Sequence, residues 1–366
     1  MRSMSLTPAL LLLVAVACAD PGPAAPLAPT DPTLARATAP TLAAPVFDLA
    51  ISQRGTLLAG EGFVGVTEIQ GNTTRLIGAL TGVTGIGPVG KSDVFALTGA
   101  ASDPSQAATE KRFFRIANGK VREIADLGAY ENAVNPDQTW NTDGPDSNPF
   151  NLARLSGSGS LVADAAGNDI LHVSGEGVID WVAVLTPQLV STAHFKELIG
   201  CPQSGAPECA LPPAIPAQPV ATSIAVGPDG AYYASELTGF PAAPRMSRVW
   251  RIEAGSRHVL CPSAACTQVV SGLTSVVDIE FGPNGMLYVA ELDAATWLAV
   301  ELGAGSGPLA PVKGGRVKAC DVSTGVCTVV ASGLALPSAL AVDASGGVWV
   351  AENASIPGTA SVHKLN

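Results

Sequence analysis

One pattern recurs six times along the chain: an alternating apolar run, a turn, and a second apolar run. The copies read FDLAISQRGTLLAGEG from Phe47, GIGPVGKSDVFALTG from Gly85, LARLSGSGSLVADAAGND from Leu152, TSIAVGPDGAYYASELTG from Thr222, VVDIEFGPNGMLYVAELD from Val276 and SALAVDASGGVWVAENAS from Ser338. Gly55, Gly159, Gly230, Gly285 and Gly346 mark the turns, with Lys91-Ser92 in the second copy. Pro228-Asp229-Gly230 and Pro283-Asn284-Gly285 are hairpin signals, because Gly and Asn accept the left-handed backbone of a tight turn. Further hairpins lie between the copies, in RFFRIANGKVREIADL from Arg112 and SRVWRIEAGSRHVL from Ser247. Two hairpins per unit make a four-stranded blade. The expected fold is therefore all-β: a six-bladed β-propeller over residues 47–366.

The sixth unit ends after three strands. An unpaired edge there would leave its backbone groups exposed. Residues 36–46 are expected to supply the fourth strand, so that the N- and C-terminal strands pair and close the ring. The prolines of that segment are tolerated on an outer edge. Uneven spacing of the units places insertions at about 101–112, 131–150, 186–220, 239–246 and 293–314.

Upstream, residues 1–17 read as a signal peptide: Arg2 precedes the apolar run Ala9 to Ala17, which is too short to span a bilayer. Ala15-Val16-Ala17-Cys18 fits both an A-x-A cleavage site and a bacterial lipobox. Cysteine arithmetic favours the second. Of seven cysteines, Cys18 is the odd one, and lipidation accounts for it. The other six form close pairs, Cys201 with Cys209, Cys261 with Cys266 and Cys320 with Cys327, which read as short-range disulfides in an oxidising compartment. Residues 18–46 are rich in Pro and Ala and read as a tether reaching roughly 80 Å at about 3.1 Å per residue. The expected location is the cell envelope: a membrane-anchored lipoprotein, periplasmic or at the cell surface, or otherwise a secreted protein.

A net charge of −11 argues against nucleic acid as a partner, and contact with a membrane is expected through the lipid anchor alone. Five acids recur where the second strand of a unit ends: Glu61, Asp164, Glu236, Glu291 and Glu352. Together with Asn168 they are candidates for a ring at the channel mouth, able to hold Ca²⁺ or another divalent cation or to polarise water. Alternatively, each acid caps its own turn or pairs with a backbone amide of a neighbouring blade. The insertion from Asn132 to Phe150 carries Asn135, Asp137, Trp140, Asp146 and Asn148 in a stretch too polar for core. Loops of this kind on rigid scaffolds hold ligands, and Trp140 offers a platform for a sugar or an aromatic group. No nucleophile elbow, P-loop or dinucleotide fingerprint is present.

Asn135-Pro136-Asp137, Asp146-Ser147-Asn148-Pro149, Asp164-Ala165-Ala166-Gly167-Asn168-Asp169, Gly227-Pro228-Asp229-Gly230 and Glu236-Leu237-Thr238-Gly239-Phe240-Pro241 together resemble the ScyD/ScyE family of exported propeller proteins. The resemblance spans about residues 47–366. Through Leu161-Val162-Ala163-Asp164 the chain is more loosely similar to NHL-repeat and SMP-30-like propellers. Fold and export are what the resemblance implies; it transfers no catalytic residue. Two functional classes remain: a surface-tethered module that binds a ligand or partner through its loop face, and a metal-dependent hydrolase or lyase with an acidic site at the channel mouth.

Overall fold

The structure is a computed structural model. It describes residues 37–38, 41–101, 107–157, 159–305, 309–353 and 356–365. The signal segment, Cys18 and most of the tether lie outside the described residues. Six four-stranded antiparallel sheets form a propeller. Blade 1 comprises Val46–Ile51, Leu57–Glu61, Gly65–Gln70 and Thr73–Ala79, from the channel outward. Blade 2 comprises Val83–Val89, Asp93–Thr98, Arg112–Ala117 and Lys120–Asp126. Blade 3 comprises Pro149–Arg154, Ser160–Asp164, Asp169–Val173 and Ile179–Leu185. Blade 4 comprises Ala221–Val226, Tyr232–Glu236, Ser247–Ile252 and Cys266–Leu273. Blade 5 comprises Val276–Phe281, Leu287–Glu291, Gly315–Asp321 and Val326–Leu334.

Blade 6 draws on both ends of the chain. Ala339–Val342, Val348–Glu352 and Ser361–Leu365 are completed by Ala37–Thr38, with Ala37 opposite Lys364 and Thr38 opposite His363. A second bridge joins Leu42 to Ala360, and Ser338 Oγ donates to the Val46 carbonyl across the seam between blades 6 and 1. Leu42 and Val46 are buried there beside Ala339, Ala351 and Val362. The seam thus combines backbone pairing with apolar burial.

Alternation along each inner strand sorts side chains between channel and blade interface. Leu49, Ile86, Leu152, Ile224, Ile279 and Leu340 pack between blades. In blades 1–5 the inner strand is bulged against the second strand, between Val46 and Asp48, Val83 and Gly85, Pro149 and Asn151, Ala221 and Ser223, and Val276 and Asp278. A bulge re-aims one residue, and here it turns Asp48, Asn151, Ser223 and Asp278 toward the channel.

Blade 4 departs from the sequence expectation. Its fourth strand is Cys266–Leu273, not the run ending at Leu260. Instead, Val259–Cys261 crosses to blade 3 and pairs in parallel with Ala183–Leu185. The turn is made at His258, whose φ is +55° and whose ring stacks on Trp181 at 4.7 Å. Asp180 receives both His258 Nε2, at 2.7 Å, and Arg257. Cys261 is then buried with Cys266, and their disulfide ties the added strand back to blade 4. The bridges Cys201–Cys209 and Cys320–Cys327 also form, the latter between directly opposed residues of a hairpin. No helix among the described residues is long and apolar enough to cross a membrane.

Candidate functional site

Five long connections emerge on one face, where the inner strands begin, while a sixth, residues 253–265 of blade 4, leaves the opposite face to reach blade 3. The five are the links from blade 2 to 3 and from blade 3 to 4, and the connections between the second and third strands of blades 2, 4 and 5. The opposite face carries mainly the tight turns within hairpins, such as Gly227–Gly230 and Gly282–Gly285. On the insertion face, the helices Ala193–Leu198 and Trp297–Gly303 pack together with Phe240, Leu237 and Leu336. Phe195 meets Phe240 edge-on at 4.7 Å, Trp297 Nε1 donates to the Thr238 carbonyl, and the His194 ring bonds the Ala295 carbonyl. At the same end of the channel, Phe47 and Phe150 meet at 6.4 Å.

Below this layer runs a polar belt. Each belt side chain accepts a backbone amide of the following blade: Asp48 from Ile86 (2.6 Å), Asn151 from Ile224 (3.3 Å), Ser223 from Ile279 (3.2 Å) and Asp278 from Leu340 (2.6 Å). Asp278 also receives Ser223 Oγ at 2.8 Å. Gly85 holds the same place in blade 2, where a Cβ would come within 3.2 Å of the Leu152 amide nitrogen. Beyond the belt, the small residues Ala50, Gly87, Ala153, Ala225 and Ala341 leave a chamber of about 320 Å³. Glu280 projects into it, reached by solvent yet ringed by protein. Burial pushes Asp278 up to about 7, and burial with the Asp278 charge pushes Glu280 up to about 8. Asp48 is raised well above the carboxylate range by burial and by Asp278. Asp278, buried at the chamber's edge, is thus a carboxyl raised toward the range that acid–base chemistry uses, whereas the exposed Glu280 is screened by the solvent of the chamber.

The five recurrent acids do not share a partner. Four bond the third strand of their own blade: Glu61 to Thr67 Oγ1 (2.5 Å), Glu236 to Arg248 (2.6 Å), Glu291 to Lys318 (2.8 Å) and Glu352 to His363 (3.5 Å). Glu236 additionally receives Trp250 Nε1 and Gln188 Nε2, both at 3.0 Å. Glu291 accepts the Thr274 amide and Glu352 the Ala335 amide, which fixes the chain entering the inner strand of the acid's own blade. Asp164 instead receives Ser147 Oγ and the amides of Asn148 and Gly167.

Asp164 and Asn168 meet the residues of the polar insertion. Helix Leu127–Val134 is capped by Asp126 at its start and ends at Asn135 with φ +45°. The loop then folds back over blade 3. Asp137 takes the side-chain amides of Asn141 (2.9 Å) and Asn168 (3.0 Å), and Asn168 in turn accepts the Val220 amide. Asn148 Oδ1 accepts the Ala100 amide, and Asp146 pairs with Lys111 at 3.5 Å. Trp140 is half-buried, and its Nε1 is enclosed without a hydrogen-bond partner among the described residues. The insertion also buries two acids that sequence reasoning passed over, Glu131 and Asp169. The available signal was the pair of aspartates at the two ends of Asp164–Asp169, which the hairpin sets directly opposite each other.

No family model matches the chain, and no curated protein matches its sequence. Among solved structures, it is similar to a gluconolactonase from Xanthomonas campestris, with 13% identity over 94% of this chain and 98% of that one and a TM-score of 0.55. It is similar also to the PQQ-bound form of an aldose sugar dehydrogenase from Streptomyces coelicolor, with 14% identity, coverage of 92% and 99%, and a TM-score of 0.54. A Bacteroides thetaiotaomicron protein of unknown function gives 13% identity, coverage of 88% and 69%, and a TM-score of 0.52. At these identities the likeness is one of fold. The neighbours are six-bladed propellers, the fold found here.

Proposed function

We propose that the chain is an exported, lipid-anchored propeller that binds a ligand or partner through its insertion-bearing face. The observation that carries this reading is sidedness: five long connections share one face, and three of them, 186–220, 237–246 and 292–314, pack into a single apolar body. A rigid scaffold that spends its insertions on one face is built for recognition there. Three disulfides suit an oxidising compartment. The resemblance to ScyD/ScyE proteins adds to the case for export, and the tether with a lipidated Cys18 would hold the propeller at the membrane surface. Hydrogen exchange of the purified protein against a panel of soluble oligosaccharides and aryl glycosides tests the reading. Protection is expected at 132–150, 193–217 or 293–304. Binding without any protection on that face sinks it.

A second reading, a hydrolase or lyase working from the channel, is favoured by Asp278, a buried carboxyl raised toward neutrality, which stands beside Glu280 in a chamber that solvent reaches. The same fold serves the X. campestris gluconolactonase. Acid release from a panel of aldonolactones, followed by pH-stat with and without added divalent cations, is its test. Turnover should disappear in Glu280→Gln.

A further inference from the structure

The closing strand fixes where the tether leaves the propeller. Ala37 lies opposite Lys364 and Leu42 opposite Ala360, so this segment runs antiparallel to Ser361–Leu365. Leu365 in turn lies opposite Val348, just past the turn at Gly346. Ala37 therefore sits at the end of blade 6 that carries the hairpin turns, and the chain upstream of it departs from that face. The five long connections are on the other.

Charge is unevenly spread over the turn-bearing face. In blades 3 to 6, basic side chains beside the turns are matched by acids: Arg251 by Asp229, Arg257 by Asp180 and Lys364 by Asp343. Blades 1 and 2 differ. Arg54 and Lys91 stand exposed in the first turns of the two blades, and Lys120 and Arg122 stand exposed on the outer strand of blade 2. None of the four forms an ion pair among the described residues. Arg54 and Lys91 line one groove of about 300 Å³ between the blades, on whose wall Leu76 is 50% exposed. The acids of that groove are already taken, Glu68 by Arg75 and Asp93 by Arg115, both at 2.6 Å. Arg122 is set directly opposite Arg115 across the outer hairpin. Like charges so placed destabilise a hairpin, so the fold itself gains nothing from the second arginine.

We propose that the turn-bearing face of blades 1 and 2 rests on an anionic lipid surface, so that the insertion-bearing face looks away from the membrane. The inference rests on the anchored reading above, from which the tether takes its destination. It adds a second contact to the acyl chain expected from the sequence. Lysine and arginine meet lipid phosphates, and Leu76 among them meets the first carbons below. The net charge of −11 belongs to the whole chain, and its repulsion is screened beyond about 8 Å at physiological salt, whereas the four cations lie at the contact. A flexible tether alone leaves the propeller free to turn. It also keeps the face close to the surface, where a weak basic contact suffices to select one orientation.

The test couples the chain from Cys18 onward, its other six cysteines oxidised, through the Cys18 thiol to a maleimide lipid in vesicles. Vesicles of phosphatidylcholine alone are compared with vesicles containing about one-third phosphatidylglycerol. On the anionic vesicles, amide exchange at 52–56, 74–77, 90–93 and 117–122 should slow by at least about threefold, with 132–150 and 293–304 unchanged. The protection should vanish in about 0.5 M NaCl. It should vanish also in the Arg54→Glu/Lys91→Glu/Lys120→Glu variant, whose fold is checked by a melting temperature equal to the parent's. Equal exchange on the two kinds of vesicle overturns the proposal, as does protection of the insertion-bearing face instead. Loss of the protection to about 10 mM inorganic phosphate would assign the groove to free phosphate and overturn the lipid contact as well. The coupling does not depend on acylation in the cell. An unmodified Cys18 in the mature protein, read by mass spectrometry, would therefore sink the anchor while the lipid contact stands or falls on exchange alone.

Discussion

Arg248 lies against Glu236 in two ways at once: its Nε is 2.6 Å from Oε1, and its guanidinium sits 4.7 Å from the centre of the Trp250 ring, whose Nε1 donates to the other carboxylate oxygen. The acid is fully buried and the arginine nearly so. Desolvation raises the Glu236 pKa despite these donors, so the carboxylate depends on keeping them. Arg248→Met should therefore lower stability by about 3–5 kcal/mol, the cost of leaving a buried charge unpaired. Adding Glu236→Gln to that variant should recover part of the loss. Urea denaturation with an unchanged m-value checks both; a loss under about 1 kcal/mol would mean that Glu236 reaches water.

The seam between blades 6 and 1 offers a second measurement. Leu42 is 3% exposed within it. Leu42→Ala should cost about 2–4 kcal/mol, the range for a buried leucine, and deletion of residues 37–44 should cost more. Leu189→Ala, at a position 72% exposed, should stay within about 0.5 kcal/mol of the parent. Equal effects at the two positions would show that the closing segment does not hold the ring.

The chamber acids make stability depend on pH. Glu280 is raised to about 8 and Asp278 to about 7, both above their unfolded values. A carboxyl whose folded pKa is raised favours the fold when protonated. Its contribution is complete below about pH 4 and is lost as pH rises through 7 and 8. The groups facing Glu280 are Asp278, Asp48 and, among the chamber residues, Arg154. Glu280→Gln removes one titrating group and should flatten the fall in melting temperature between pH 5 and 9. A slope identical to that of the parent would place Glu280 in bulk-like solvent.

The disulfides differ in what they secure. Cys320 and Cys327 close a hairpin within blade 5, while Cys261 and Cys266, both fully buried, tie blade 4 to the strand it lends to blade 3. Each short loop contributes roughly 2–3 kcal/mol in the chain-entropy account. The Cys261→Ala/Cys266→Ala double variant should lose that and in addition loosen the parallel ladder, seen as faster amide exchange at 183–185. Protection of 183–185 equal to the parent would mean that the ladder holds itself.

Much of this architecture is legible in the residues because local chemistry and tertiary role agree. Gly230 and Gly285 carry the positive φ their turns require, and the spacing of Cys320 and Cys327 already sets them opposite each other. The closing strand was implied by a blade one strand short. What could not be read is where a chain segment settles once it leaves its own blade. Val259–Cys261 looks like an ordinary fourth strand until Trp181 and Asp180, distant in sequence, capture His258. Glu131 and Asp169 were hidden for the same reason. One sits at the edge of a polar loop and the other ends a motif, and only docking of the insertion on blade 3 buries them together. The recurrent acids were visible by their spacing, but their partners Thr67, Arg248, Lys318 and His363 share no residue type that a repeat could reveal.

The pairing of Ala37–Thr38 with His363–Lys364 also has a mechanical meaning. In a chain held from its N-terminal side, a pull travels first to this ladder and only then to a blade. Two residue pairs and the Leu42–Ala360 bridge stand in the load path, against five or more pairs in the inner ladders of blades 1 to 5. The latch is thus also the fuse: under tension the ring parts at its seam, and each blade behind it keeps its own sheet.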